Sequence, residues 1–196
     1  MVLKRIFSRT KLADPWVAKA PEGTRIYAVG DIHGRRDLLD ELLDKIDADD
    51  NARGAAETQL IFLGDLADRG DDSKGVIDRL QTLGATGNNV QFIFGNHEEL
   101  LIRAWEGDSR AAGVFNRNGG RDTMLSYGVD PQVYDAATLE ELVDIMRAAI
   151  PRSHIEFLRS FRDWILAGDY LFVHAGIRPG IALDAQSLAD LRWIRG

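Results

Sequence analysis

The chain has 196 residues, of which 45% are hydrophobic and 28% charged, enough apolar side chain for the core of one ordinary domain and too much for a disordered polymer. Its 31 acidic and 24 basic residues leave a formal net charge of −7, which argues against a nucleic-acid coat, because that activity rests on a basic surface. No cysteine is present, so disulfides, thiolate metal sites and cysteine nucleophiles are excluded. No apolar run approaches the roughly 20 residues that a membrane-spanning helix needs, and the expected setting is the cytoplasm.

Residues 1–20 read as a basic N-terminal arm without the apolar stretch of a signal peptide. A single domain is expected over 21–196. Four short apolar runs, 26–29, 60–63, 90–94 and 170–173, are rich in β-branched or aromatic residues and end at polar, glycine-flanked turns. They predict buried strands. After the first run, Leu38, Leu39, Leu42, Leu43 and Ile46 place an apolar face on a helix, and Val76, Ile77, Leu80 and Leu83 do the same after the second. A helical insertion is expected over about 100–165. Within it, Thr138 and Glu141 form a capping box for a helix that Pro151 closes. Ser153 and Glu156 suggest a second box, which would put His154 at a surface helix start. Alternating strands and helices specify an α/β fold.

The chemistry collects at the strand ends. The first run leads into Gly30-Asp31-Ile32-His33-Gly34, and the second into Gly64-Asp65-Leu66-Ala67-Asp68-Arg69-Gly70. The third leads into Gly95-Asn96-His97-Glu98 and the fourth into His174-Ala175-Gly176. Ligands of open α/β sheets bind outside the carboxyl ends of strands. Alone, a Gly-Asp pair reads as a turn, Asn96-His97-Glu98 as a helix start, and His174 as an interior histidine. Together they bring carboxylates, imidazoles and an amide to one rim, a donor set suited to divalent Mn, Fe or Zn. A carboxylate such as Asp65 can bridge two cations, the recurrent arrangement for phosphate-ester hydrolysis. The spacing fits neither a dinucleotide-binding turn nor an H-E-x-x-H zinc helix. Serine nucleophile elbows and Walker lysine loops are absent as well.

These four motifs, in this order, resemble those of the phosphoprotein phosphatase family of calcineurin-like metallophosphoesterases, most closely its bacterial serine/threonine phosphatase branch. Asn118-Gly119-Gly120 and Trp193-Ile194-Arg195 resemble secondary signatures of that branch. The resemblance implies a central β-sandwich flanked by helices, with two divalent ions at its edge, manganese first and iron or zinc as alternatives. By motif position, Asp31 and His33 would hold one ion, Asp65 would bridge, and Asn96 and His174 would hold the second. His97 would be the general acid, supported by Asp68, while Arg69, Arg195 and Asn96 would bind the substrate phosphate. The implied substrate is a phosphoserine or phosphothreonine protein or a small phosphoester. Dinucleoside tetraphosphate hydrolysis is the alternative, and an inactive metal-binding remnant the second alternative.

Two departures set further expectations. Phe94 stands where the family often has an arginine, which removes one phosphate contact. The sequence ends at Gly196, before the Gly-His motif whose histidine completes the second metal site in the family. The expectation is therefore a weak second site or a fragment of a longer protein, with the C-terminal strands missing and a sheet edge left open.

Overall fold

A computed structural model describes residues 17–87 and 89–195; most of the expected basic arm lies outside them. Three parallel strands set the positions of everything else: β1 (Thr24–Val29), β2 (Glu57–Phe62) and β3 (Val90–Phe92), in the order β1-β2-β3. Val29 pairs with Phe62 and Phe62 with Phe92, so the three strands finish level and their following turns emerge along one edge. Successive residues of a strand face opposite sides, and here both faces are covered. Phe62 and Phe92 point into the main core beneath the helices, where Phe92 stacks on Phe62 and Phe161 with ring centroids 5.3 and 4.9 Å apart. Ile61 and Ile93 point the other way, onto Ile165 and Phe172.

Those two residues belong to an antiparallel hairpin, β4 (Trp164–Ala167) and β5 (Tyr170–Val173). The hairpin is the second layer of the expected sandwich. β4 was not anticipated from the sequence. Among the described residues β1 pairs with β2 alone. The folded segment reaches back into the expected arm, since the Lys19 N–H donates to Asp169 (2.9 Å) and the Asp169 N–H to the Lys19 carbonyl (2.9 Å).

Helix α1 (Arg36–Ala52) follows β1, and α2 (Ser73–Gly84) follows β2. The apolar face expected on α1 is narrower than the sequence suggests: Leu39, Leu43 and Ile46 are buried, whereas Leu38 and Leu42 are exposed. After β3 come α3 (Asn96–Glu106), α4 (Ser109–Phe115), a wide turn (Asn116–Gly120), α5 (Arg121–Ser126), α6 (Pro131–Ala136), α7 (Leu139–Ala149) and α8 (Arg152–Arg159). The chain closes with α9 (Leu188–Trp193). The Thr138 box forms, with Glu141 accepting from the Thr138 N–H at 2.8 Å. The Ser153 box does not, because Pro151 already caps α8 and Glu156 pairs with Arg152 instead (2.8 Å).

His154 is accordingly no surface residue. It is buried on α8, 2.8 Å from the Tyr127 hydroxyl through Nδ1 and 2.9 Å from Asp78 through Nε2. Burial lowers its pKa despite the Asp78 charge. No described helix is long and apolar enough to cross a membrane.

Candidate metal centre

The turns after β1 and β2 are stapled together by backbone. The Ile32 and His33 N–H groups both donate to the Asp65 carbonyl, at 3.0 and 2.9 Å, and the Gly34 N–H donates to that of Leu66 at 2.8 Å. Gly34 sits so close to the second turn that a Cβ there would lie 2.7 Å from the Gly70 carbonyl oxygen. Four non-glycine residues of these turns adopt left-handed backbone: His33 (φ +46°), Asp65 (+54°), Asp68 (+72°) and Arg69 (+69°). Each such residue costs on the order of 1–3 kcal/mol and persists only where surrounding contacts enforce it. All four are among the residues singled out from the sequence.

Asp65 lies at the centre. One of its carboxylate oxygens is 3.7 Å from His33 Nε2 and 3.9 Å from His97 Nε2; the other is 3.5 Å from His174 Nε2. Asp31, exposed at the rim, lies 3.8 Å from His33 Nε2. Donor atoms of His33, Asp65 and His97 all fall within 4.8 Å of one another, as do those of Asp31, Asp65 and His174. The two groups share Asp65. Both outer histidines are oriented through the far side of the ring: His33 Nδ1 donates to the Ala67 carbonyl (2.8 Å) and His174 Nδ1 to that of Leu63 (2.7 Å). This fixes the tautomer and turns an Nε2 lone pair toward Asp65, the arrangement typical of metal-binding histidines. His174 Nε2 also faces Asn96 Oδ1 at 2.9 Å. Two lone-pair donors aimed at one point fit a cation.

His97 is held differently. Its Nδ1 is 2.6 Å from Asp68, which is fully buried. The Thr123 hydroxyl donates to the other Asp68 oxygen (2.6 Å), and the Asp68 N–H donates to the hydroxyls of Thr123 (2.9 Å) and Ser73 (3.0 Å). Burial pushes the Asp68 carboxyl up, against the bonds from His97 and Thr123. Burial draws the His97 imidazole down, but the bond to Asp68 and the charges of Asp65 and Asp68 outweigh it, leaving a pKa above the ordinary histidine value.

Glu98, expected to favour a helix start, does more. Its carboxylate is buried and accepts from the N–H groups of Gly95 (3.0 Å), Asp65 (2.8 Å) and Leu66 (2.8 Å), tying the turn after β2 to α3. Burial, reinforced by the Asp65 charge, raises its pKa. Ser73, Thr123 and this role of Glu98 were missed in the sequence. For Glu98 the signal was its place beside Asn96-His97; Ser73 and Thr123 gave none.

The arginines divide. Arg69 donates to His33 Nε2 (2.8 Å) and His97 Nε2 (3.1 Å), so its guanidinium lies across the mouth of one donor group. Its N–H donates to the Gly119 carbonyl at 3.2 Å, which places Asn118-Gly119-Gly120 behind it. Arg195 is exposed and bonds to the carbonyl of Ile194 (3.3 Å), with no contact to the cluster among the described residues. Phe94 is buried with the Arg192 guanidinium over its ring, 4.1 Å from the centroid.

The family described as calcineurin-like phosphoesterase matches residues 24–196. The chain is 32% identical over 154 residues to a Delftia acidovorans protein named bis(5'-nucleosyl)-tetraphosphatase, symmetrical, covering 79% of this chain and 45% of that protein. A Nitrosospira multiformis protein of the same name is 30% identical over 167 residues, covering 85% and 49%. The chain thus spans about half the length of the curated relatives it matches. A crystal structure described as that of a candidate diadenosine tetraphosphatase superposes with a TM-score of 0.56 at 22% identity, covering 89% of this chain and 60% of that one. At that identity the likeness speaks to the fold.

Proposed function

This chain belongs to the calcineurin-like phosphoesterase family, and we propose that it hydrolyses dinucleoside tetraphosphates, splitting the four-phosphate bridge symmetrically with one water into two nucleoside diphosphates. The observation that carries a hydrolytic reading is Asp65, whose two oxygens face separate donor groups. The substrate class follows from the names of the relatives, and it displaces phosphoserine or phosphothreonine as the first choice.

By motif position Asp31, His33 and Asp65 would hold one divalent ion, and Asp65, Asn96 and His174 the other; the geometry also brings an Asp31 oxygen within reach of the His174 group and His97 within reach of the His33 group. Such a pair supplies Lewis-acid charge to phosphoryl oxygens and lowers the pKa of water toward neutrality. His97 keeps one proton on Nδ1 against Asp68 and presents Nε2 to the cluster, so in its protonated form it can give a proton to the leaving phosphate oxygen. Arg69, at the rim, can turn its planar fork to phosphoryl oxygens. Arg195 is the second candidate for that task, being exposed and free of a carboxylate partner among the described residues.

The test is product analysis by anion-exchange chromatography, with manganese added. Two molecules of ADP from each diadenosine tetraphosphate, lost in Asp65→Asn, support the proposal. ATP plus AMP overturns symmetrical cleavage. Faster phosphate release from a phosphothreonine peptide restores the phosphoprotein reading, and inertness toward both substrates leaves a metal-binding remnant.

A further inference from the structure

Helix α9 and the residue after it contact the chain neighbours of two donors assigned to the second cation site, Asn96 and His174. The Ala175 N–H, adjacent to His174, donates to the Leu191 carbonyl at 2.8 Å. Gly176 lies against Ile194, since a Cβ there would be 3.0 Å from its Cγ2. On the other side, Arg192 sits in a half-closed cage. Its guanidinium is 2.6 Å from Asp163, 3.3 Å from Glu99 and 4.1 Å from the centroid of the Phe94 ring, and the side chain is 13% exposed. Trp193 Nε1–H donates to the same Glu99 oxygen at 3.1 Å. Phe94 and Glu99 bracket Asn96 in the chain, one before the start of α3 and one in its first turn. Asp31 and His33 are held instead by the turn after β2.

We propose that Arg192 is a positioning residue for the second cation site, clamping the start of α3 through Phe94 and Glu99 so that Asn96 stays opposite His174. Phe94 then has a purpose of its own. Its ring is the surface on which a cation from α9 rests, and an arginine at 94 would put two guanidinium groups together. The inference rests on the cation reading of the site given above. Groups that orient metal ligands without touching the ion commonly control affinity by ten- to a hundredfold.

The experiment is calorimetric titration of Mn²⁺ into the wild type, Asn96→Ala, Arg192→Met, Arg192→Lys and Phe94→Leu, each with a thermal melt. The wild type should bind in two phases, and the phase lost in Asn96→Ala identifies the second site. Arg192→Met should weaken that phase by about tenfold and the other distinctly less, since α3 reaches the first site only through the turn that carries the shared Asp65, with partial recovery in Arg192→Lys. Phe94→Leu, which keeps an apolar side chain in the core, should weaken the same phase. Equal weakening of both phases alongside a lower melting temperature would reduce Arg192 to a structural residue and overturn the proposal, as would unchanged binding. A wild type that binds no Mn²⁺ overturns the cation reading itself and the inference with it.

Discussion

A histidine that delivers a proton to a leaving group must still be protonated at working pH and must face the reaction with the right nitrogen. In the proposed role Asp68 would supply both conditions for His97: its charge helps to raise the imidazole pKa, and the 2.6 Å bond to Nδ1 leaves Nε2 facing the cluster. The imidazole loses its acid form above the raised pKa, so the alkaline limb of kcat should lie above the ordinary histidine value. Asp68→Asn removes the charge and lowers that pKa. A pH–rate profile should therefore show the alkaline limb displaced toward acid, with kcat reduced on the order of a hundredfold. The same carboxylate–imidazole pairing also occurs behind metal ligands, and His97→Ala separates the two roles. Lost turnover with both Mn²⁺ equivalents retained in calorimetry fits a proton donor, whereas loss of one equivalent makes His97 a ligand. Arg69 invites a different test, because its guanidinium engages the Nε2 lone pairs of His33 and His97. A cation at His33 must displace it. Arg69→Gln should tighten Mn²⁺ binding at that site by about tenfold, the equivalent of one charge-assisted hydrogen bond, while inorganic phosphate binds more weakly in competition assays.

At the scale of elements, the wide turn between α4 and α5 shows why a short signature carries meaning. Gly119 adopts φ +103°, and a Cβ there would lie 2.6 Å from the Arg69 nitrogen. Gly119→Ala should cost about 1–3 kcal/mol, visible as a lower melting temperature. It should also raise KM more than it lowers kcat, since the close contact falls on Arg69 and not on Asp65 earlier in the same turn. Much of this layout was legible because strands end where their apolar runs stop, and the residues after them have few reasons to be Asp, His or Asn all at once. Other features were not. β4 follows Arg162 and Asp163 without a glycine or proline, so its four residues read as the tail of a helix. His154 obeyed a local capping pattern until Pro151 took the cap and Asp78 and Tyr127 took the imidazole. Thr123 lies 55 residues from the aspartate it supports, and Arg192 matters only through residues the chain brings to it late. Local rules cannot see partnerships of that kind.

Across the whole molecule, the donors belong to turns that follow β1, β2, β3 and β5, and only the level register of the parallel strands and the docked hairpin set them side by side. An unfolded chain has no such site, so on the proposed reading cations would bind the native state almost exclusively and stabilise it by mass action. At a free Mn²⁺ concentration of about a hundred times Kd this amounts to roughly 2.7 kcal/mol per site. For a chain of this size, one such site raises the melting temperature by roughly 5–10 °C. Scanning calorimetry with Mn²⁺ and then with excess EDTA should show that rise and its reversal. The two aspartates nearest the centre should behave unlike each other. Asp65→Asn should abolish the shift, because Asp65 is common to both donor groups, whereas Asp31→Asn should remove only part of it. A melting temperature indifferent to Mn²⁺ would mean that the strand ends meet without forming a cation site. Equal losses in the two variants would mean that Asp65 does not bridge.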